Sequence, residues 1–194
     1  MMLKKLLKEL INQLIAPDVI KARKLADISR FWHTAMILLF SFVLLMVINQ
    51  VFSLKIFGFL PITTAYSYYS IGIFTGAMFI VFPATKKHLG KIPFYDVILF
   101  FVSLIVCVYF GLHAEDMIQL GWEMEAPPVP TYCSFVLWFL IIEAVRRTTG
   151  LMLALVCTVF SFYPLYCENL PTLISGIGFD IFETARNHAM GADA

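Results

Sequence analysis

The sequence predicts an all-α integral membrane protein: about five transmembrane helices preceded by an amphipathic in-plane helix. Three observations carry this expectation. Of 194 residues, 60% are apolar and only 14% charged, against about 25% charged in an ordinary soluble domain. Five apolar stretches, about residues 32–54, 62–83, 93–112, 129–145 and 149–167, approach or exceed the length that crosses a bilayer. The basic residues are also segregated: twelve Lys and Arg fall on one side of that topology and two on the other.

Residues 1–16 place Leu3, Leu7, Leu10 and Leu14, with Leu6, Ile11 and Ile15, at helical spacing, and Lys4, Lys5, Lys8 and Glu9 opposite them. Pro17 ends this helix, and Asp18 is placed to cap a second short one that runs to Arg30. We expect residues 1–30 to lie on the cytoplasmic membrane surface, the lysines meeting anionic membrane lipids; packing on another subunit is the alternative. Glu9, Asn12 and Gln13 interrupt the apolar residues, so no cleavable signal peptide is read here.

Residues 31–167 form the expected membrane domain. The first span is uncharged, with Trp32 at its inner edge. The second is also uncharged, with Tyr66, Tyr68 and Tyr69 near its start and Gly72 and Gly76 at the four-residue spacing that lets helices approach. Lys86, Lys87 and Lys91 precede the third span. Asp96 falls in its first turn, where the helix dipole favours a carboxylate close to water; an ion ligand is the sharper alternative. Residues 113–130 hold Glu115, Asp116, Glu123 and Glu125, three prolines and no Lys or Arg, which reads as a stiff acidic surface loop.

Between the fourth and fifth spans stands Glu143, then the only double arginine, Arg146-Arg147, then Gly150. Arginine at the bilayer centre costs about 2.5–3.5 kcal/mol on insertion scales, so this turn is expected at the membrane surface. Glu143 and Arg147, four apart, can pair along one helix face. Residues 168–194 are too broken by Pro171, Gly176 and Gly178 to span; Ile177, Ile181 and Phe182 are expected along the interface. The Lys and Arg bias puts the N-terminus in the cytoplasm, and five spans leave the C-terminal segment outside.

The four cysteines form no metal spacing. Cys107 and Cys157 read as core residues. Cys133 and Cys167 both fall toward the outer face, where a disulfide is the alternative to free thiols. The four histidines are scattered, and no nucleophile, metal set or acid–base pair can be assembled, so an enzyme is not expected and no cofactor or metal is assigned. A net charge of +1 gives no reason to expect nucleic acid. No span carries a charge near its middle, which argues against this chain forming a transport route by itself.

The hairpin Ile142-Glu143-Ala144-Val145-Arg146-Arg147-Thr148-Thr149-Gly150, followed by an apolar run to Phe162-Tyr163-Pro164-Leu165, resembles the amino-terminal part of fused permeases of tripartite ATP-independent periplasmic (TRAP) transporters. The branch it resembles is the one paired with TAXI-type binding proteins. Lys91-Ile92-Pro93-Phe94-Tyr95-Asp96 is similar to that family's Pro-aromatic-Asp helix opening, and Pro127 to Thr131 to its proline-containing approach to the double arginine. The resemblance covers roughly residues 30–175, with the double-arginine hairpin its most specific part.

It implies an ion-driven secondary transporter, usually sodium-coupled, that takes organic acids from a periplasmic solute-binding protein in a bacterial-type inner membrane. The small region would be a scaffold. Substrate and coupling sodium would belong to a large permease domain or subunit of about a dozen helices, so no substrate or ion residue is carried over to this chain. The resemblance gives Glu143, Arg146, Arg147, Gly150 and Asp96 structural roles in setting the hairpin and orienting the third helix. A fifth span and the stop at Ala194 suggest a fused permease continuing into its large domain, with a split small subunit as the alternative. A membrane anchor or assembly protein unrelated to transport is the reading from another class.

Overall fold

Uninterrupted apolar stretches become helices because a bilayer offers backbone groups no partner but one another. The computed structural model describes residues 22–23, 28–55, 61–172 and 174–191, and these contain helices, turns and loops with no strand. The helices are α1 (Arg30–Phe52), α2 (Thr63–Val81), α3 (Phe94–Leu112), α4 (Ala114–Gln119), α5 (Pro128–Thr149), α6 (Leu151–Ser161) and α7 (Ile181–Met190). Short 3-10 turns lie at Lys86–His88, Tyr163–Leu165 and Cys167–Asn169. The amphipathic helix expected over residues 1–16 lies outside the described residues.

Among the described residues three helices, α1, α3 and α5, are long and apolar enough to cross a membrane, in place of the five expected. The protein is therefore a multi-pass α-helical membrane protein with fewer clear spans than its apolar runs suggest. The second stretch does form a 19-residue helix, but eight of its residues carry hydroxyl groups, which dilutes its apolarity. The fifth stretch breaks: α6 stops after 11 residues, ahead of Pro164, and spans only about 16 Å at 1.5 Å per residue.

The core is the antiparallel pair α2–α3. Gly72 lies against Cys107, and Gly76 against the Phe100 ring. Ser103 Oγ donates to Gly72 O at 3.1 Å, fully buried. The buried residues of α3 recur at three- and four-residue steps from Asp96 through Phe100, Ser103 and Cys107 to Phe110 and Gly111, one face of a helix. At one end Tyr68, Phe110, Met117, Trp122, Leu137 and Met190 form one cluster; at the other Ile28, Met36, Ala77, Ile80 and Phe100 form a second. α1 is apolar on every side and buries only Met36, Val43 and Asn49, as expected of a helix solvated by lipid.

The C-terminal segment is more ordered than its prolines and glycines suggest. Asp180 and Glu183 make a reciprocal capping box that starts α7. α7 packs on α5, with Phe182 edge-on to Phe135 at 5.7 Å, and Tyr68 Oη donates to Ala189 O at 2.6 Å. Phe182 is thus seated on α5, while Ile177 stays exposed. All four cysteines are free thiols, Cys133 and Cys167 included.

Candidate functional site

The double arginine is not in a loop. α5 continues as helix through Glu143, Arg146 and Arg147 to Thr149, and the turn into α6 is Gly150 alone. The reason is electrostatic as well as steric: cations are favoured in a helix's last turn, where the free carbonyls gather. Gly150 sits at φ 93° and ψ 175°, a backbone region essentially closed to side-chain-bearing residues. Gly150→Ala is therefore expected to cost about 1–3 kcal/mol, read as a lower unfolding midpoint in detergent. An unchanged midpoint would show that the turn relaxes at no cost.

Around this helix end the fold assembles a charge cluster that the sequence shows only in pieces. Arg147 Nη1 donates to Asp96 Oδ1 at 2.6 Å and its Nε to Glu143 Oε1 at 2.8 Å. Arg146 holds Glu143 with two bonds of 2.7 Å. The second Asp96 oxygen accepts from Arg23 Nη2 at 2.6 Å. All four carboxylate oxygens are therefore engaged by arginine. The Arg23, Asp96 and Arg147 side chains are 1% exposed or less, whereas Arg146 remains one-third exposed. Asp96 was expected near water; it is sealed, because two guanidinium groups replace that water.

The same arginines complete a helix. The last four carbonyls of an α-helix have no partner within it. In α2, Phe79 O and Ile80 O accept from Arg23 Nη1, Val81 O from the Arg23 backbone N–H at 2.9 Å, and Phe82 O from Arg147 Nη1 at 3.2 Å. Arg23 Nε reaches His88 O at 3.1 Å, and the Arg147 guanidinium lies 4.9 Å from the Phe79 ring centroid. Three cations and two carboxylates leave one net positive charge facing the negative ends of α2 and α5. Burial on this scale is tolerable only with such saturation.

The arrangement is a clamp. It joins the end of α2, the start of α3, the end of α5 and the segment containing Arg23. Among the described residues no group of His, Cys, Asp or Glu could hold a metal ion. Arg23 is the member that sequence reasoning missed: it lies 73 residues from Asp96, inside a basic stretch that reads as membrane surface. Arg30, Lys87 and Lys91 are exposed at the clamp end. The opposite end carries Glu115, Asp116 and Glu125 and opens a groove of about 460 Å³ lined by Thr63, Ser67, Tyr68, Glu123 and His188.

No family model matches the chain, and neither a curated protein nor a solved structure matches it.

Proposed function

We propose that this chain is the small, scaffold-type membrane component of a TRAP secondary transporter for organic acids. It sits in a bacterial-type inner membrane, with the clamp end and the N-terminus in the cytoplasm and the α7 end outside. Its partners are a large permease domain or subunit, which carries the substrate and sodium, and a TAXI-type solute-binding protein. The supporting observation is the Glu143–Arg146–Arg147–Gly150 helix end, the most specific part of the resemblance, here joined to Asp96 of the similar Pro-aromatic-Asp opening. The buried charges of the clamp serve helix ends, which suits a scaffold better than a conduction path. A membrane anchor or assembly protein is the alternative, and it needs no binding protein.

Two measurements test this reading. An antibody against residues 1–30 should detect, in the native membrane, either a fused polypeptide several times larger than 22.1 kDa or a small chain that co-purifies with a multi-span partner and a binding protein. A small chain with neither companion sinks the transporter reading. Second, Arg146→Leu with Arg147→Leu should misorient α5 and α6, since these two are the only Lys or Arg at that turn among the twelve on the cytoplasmic side. A cysteine-accessibility map unchanged in that double variant removes the orienting role.

A further inference from the structure

α5 is 22 residues long, about 33 Å at 1.5 Å per residue, close to the hydrocarbon thickness. Trp138 stands near its midpoint, and Trp138 Nε1 donates to Ser161 Oγ at 2.5 Å. α6, which ends at Ser161, therefore stops level with the middle of α5, where His188 of α7 also meets Ser161 O at 2.7 Å; with α5 spanning the bilayer, that level lies within the hydrocarbon. The chain continues there as 3-10 turns and open loop until α7, whose Phe182 still lies against Phe135, one-third of the way along α5. Irregular backbone at such depth is tolerated where protein or a water-filled cavity covers it, and not against lipid.

This stretch is only partly covered in the isolated chain: Cys167 is buried and Phe179 N–H donates to Pro164 O, but much of the rest is open. Phe160 is 71% and Ile177 81% exposed. Glu168 and Asp180 are exposed too, and the backbone N–H groups of Ser175, Gly176 and Ile177 meet no acceptor among the described residues. From 162 to 180 there are two carboxylates and no Lys or Arg. The surface is consequently poorly self-complementary: a two-fold contact between two copies of this stretch would bring together only carboxylates, with no Lys or Arg from 162 to 180 to pair them.

We propose that the α6–α7 connection, with Phe160, Glu168, Ile177 and Asp180 at its centre, is the docking face for a different membrane-embedded polypeptide, one that presents a Lys or Arg and hydrogen-bonding groups among apolar side chains. The assignment rests on membrane depth and charge, and holds for a separate transporter subunit or an assembly factor alike; in a fused permease the same face would meet the large domain, and the adduct would be a crosslink within one polypeptide, mapped by peptide mass.

The test is photo-crosslinking of the full chain in its native membrane, with benzoylphenylalanine at position 177 and, as control, at Leu44 on α1, which is 59% exposed. Position 177 should give one discrete protein adduct, and position 44 lipid adducts. Glu168→Lys should reduce the protein adduct at least tenfold, and Glu168→Gln, which keeps the acceptor for Gly178 N–H, only a few-fold. The Leu44 yield reports whether each variant still inserts. An adduct of twice the chain's own mass, lipid adducts alone, or rapid labelling of Ile177→Cys by a membrane-impermeant maleimide would each overturn the proposal. So would a protein adduct indifferent to the charge at position 168.

Discussion

Asp96→Asn is expected to destabilise the protein by about 3–5 kcal/mol, the range for removing one partner of a buried ion pair. In this variant Arg23 and Arg147, both buried, lose the carboxylate whose two oxygens each bonds at 2.6 Å. They then face each other as like charges, still tied to the α2 carbonyls. The readout is thermal unfolding in detergent, with a fall in midpoint on the order of 10 °C. A fall in the helical signal should come first at the clamp end, which limited proteolysis between α2 and α3 would detect. Glu143→Gln should cost clearly less, because its partner Arg146 is one-third exposed and solvent screens the pair. The pairing can be tested separately from mere burial. Arg147→Gln introduced into the Asp96→Asn background should cost less than in the native background, with a coupling of about 0.5–3 kcal/mol. If Asp96→Asn unfolds within about 0.5 kcal/mol of the native chain, the carboxylate is not clamping the arginines.

Parts of this arrangement were legible in the sequence, and the boundary is physical. The all-α membrane class followed from composition, since few charges and long apolar runs leave little else. The Glu143–Arg147 pair and the Gly72–Gly76 approach were legible because both are local: helical periodicity alone puts the partners on one face. Arg23 was not, because nothing near it in sequence asks for it. The demand comes from four orphan carbonyls at 79–82 and from Asp96, brought together only by packing. The extension of α5 through the arginines was misjudged by treating charge as a loop signal, when a helix C-terminus favours cations. The fifth span was overcounted for a related reason: hydropathy registers Phe162 to Leu165 as apolar and is blind to Pro164 as a helix breaker. Asp180-Ile181-Phe182-Glu183 is a capping-box pattern that did announce α7; the glycines and proline ahead of it drew attention away.

Gly72→Ala should strongly destabilise the α2–α3 core. A Cβ built at Gly72 lies 2.6 Å from Cys107 Cβ, 3.3 Å from its Sγ and 3.4 Å from Ser103 O. The obstructing atom is a Cβ fixed to the α3 backbone, so no rotamer change relieves it, and α2 and α3 must separate. Separation stretches the 3.1 Å bond from Ser103 Oγ to Gly72 O and loosens Gly76 from Phe100. Overpacking of this kind costs about 1–3 kcal/mol, occasionally more. Gly76→Ala should cost less, because its nearest obstacle is the Phe100 ring edge at 3.1 Å, which can swing. Gly90→Ala, with nothing within 4 Å, should be neutral or nearly so. The decisive comparison is between two second-site changes at Cys107. Cys107→Gly removes the clashing Cβ and should restore most of the loss caused by Gly72→Ala, measured against Cys107→Gly alone to discount the roughly 1 kcal/mol cost of glycine in a helix. Cys107→Ala removes only the sulfur and should restore little. Equal rescue by the two would mean that the sulfur, and not the helix backbone, sets the distance between α2 and α3.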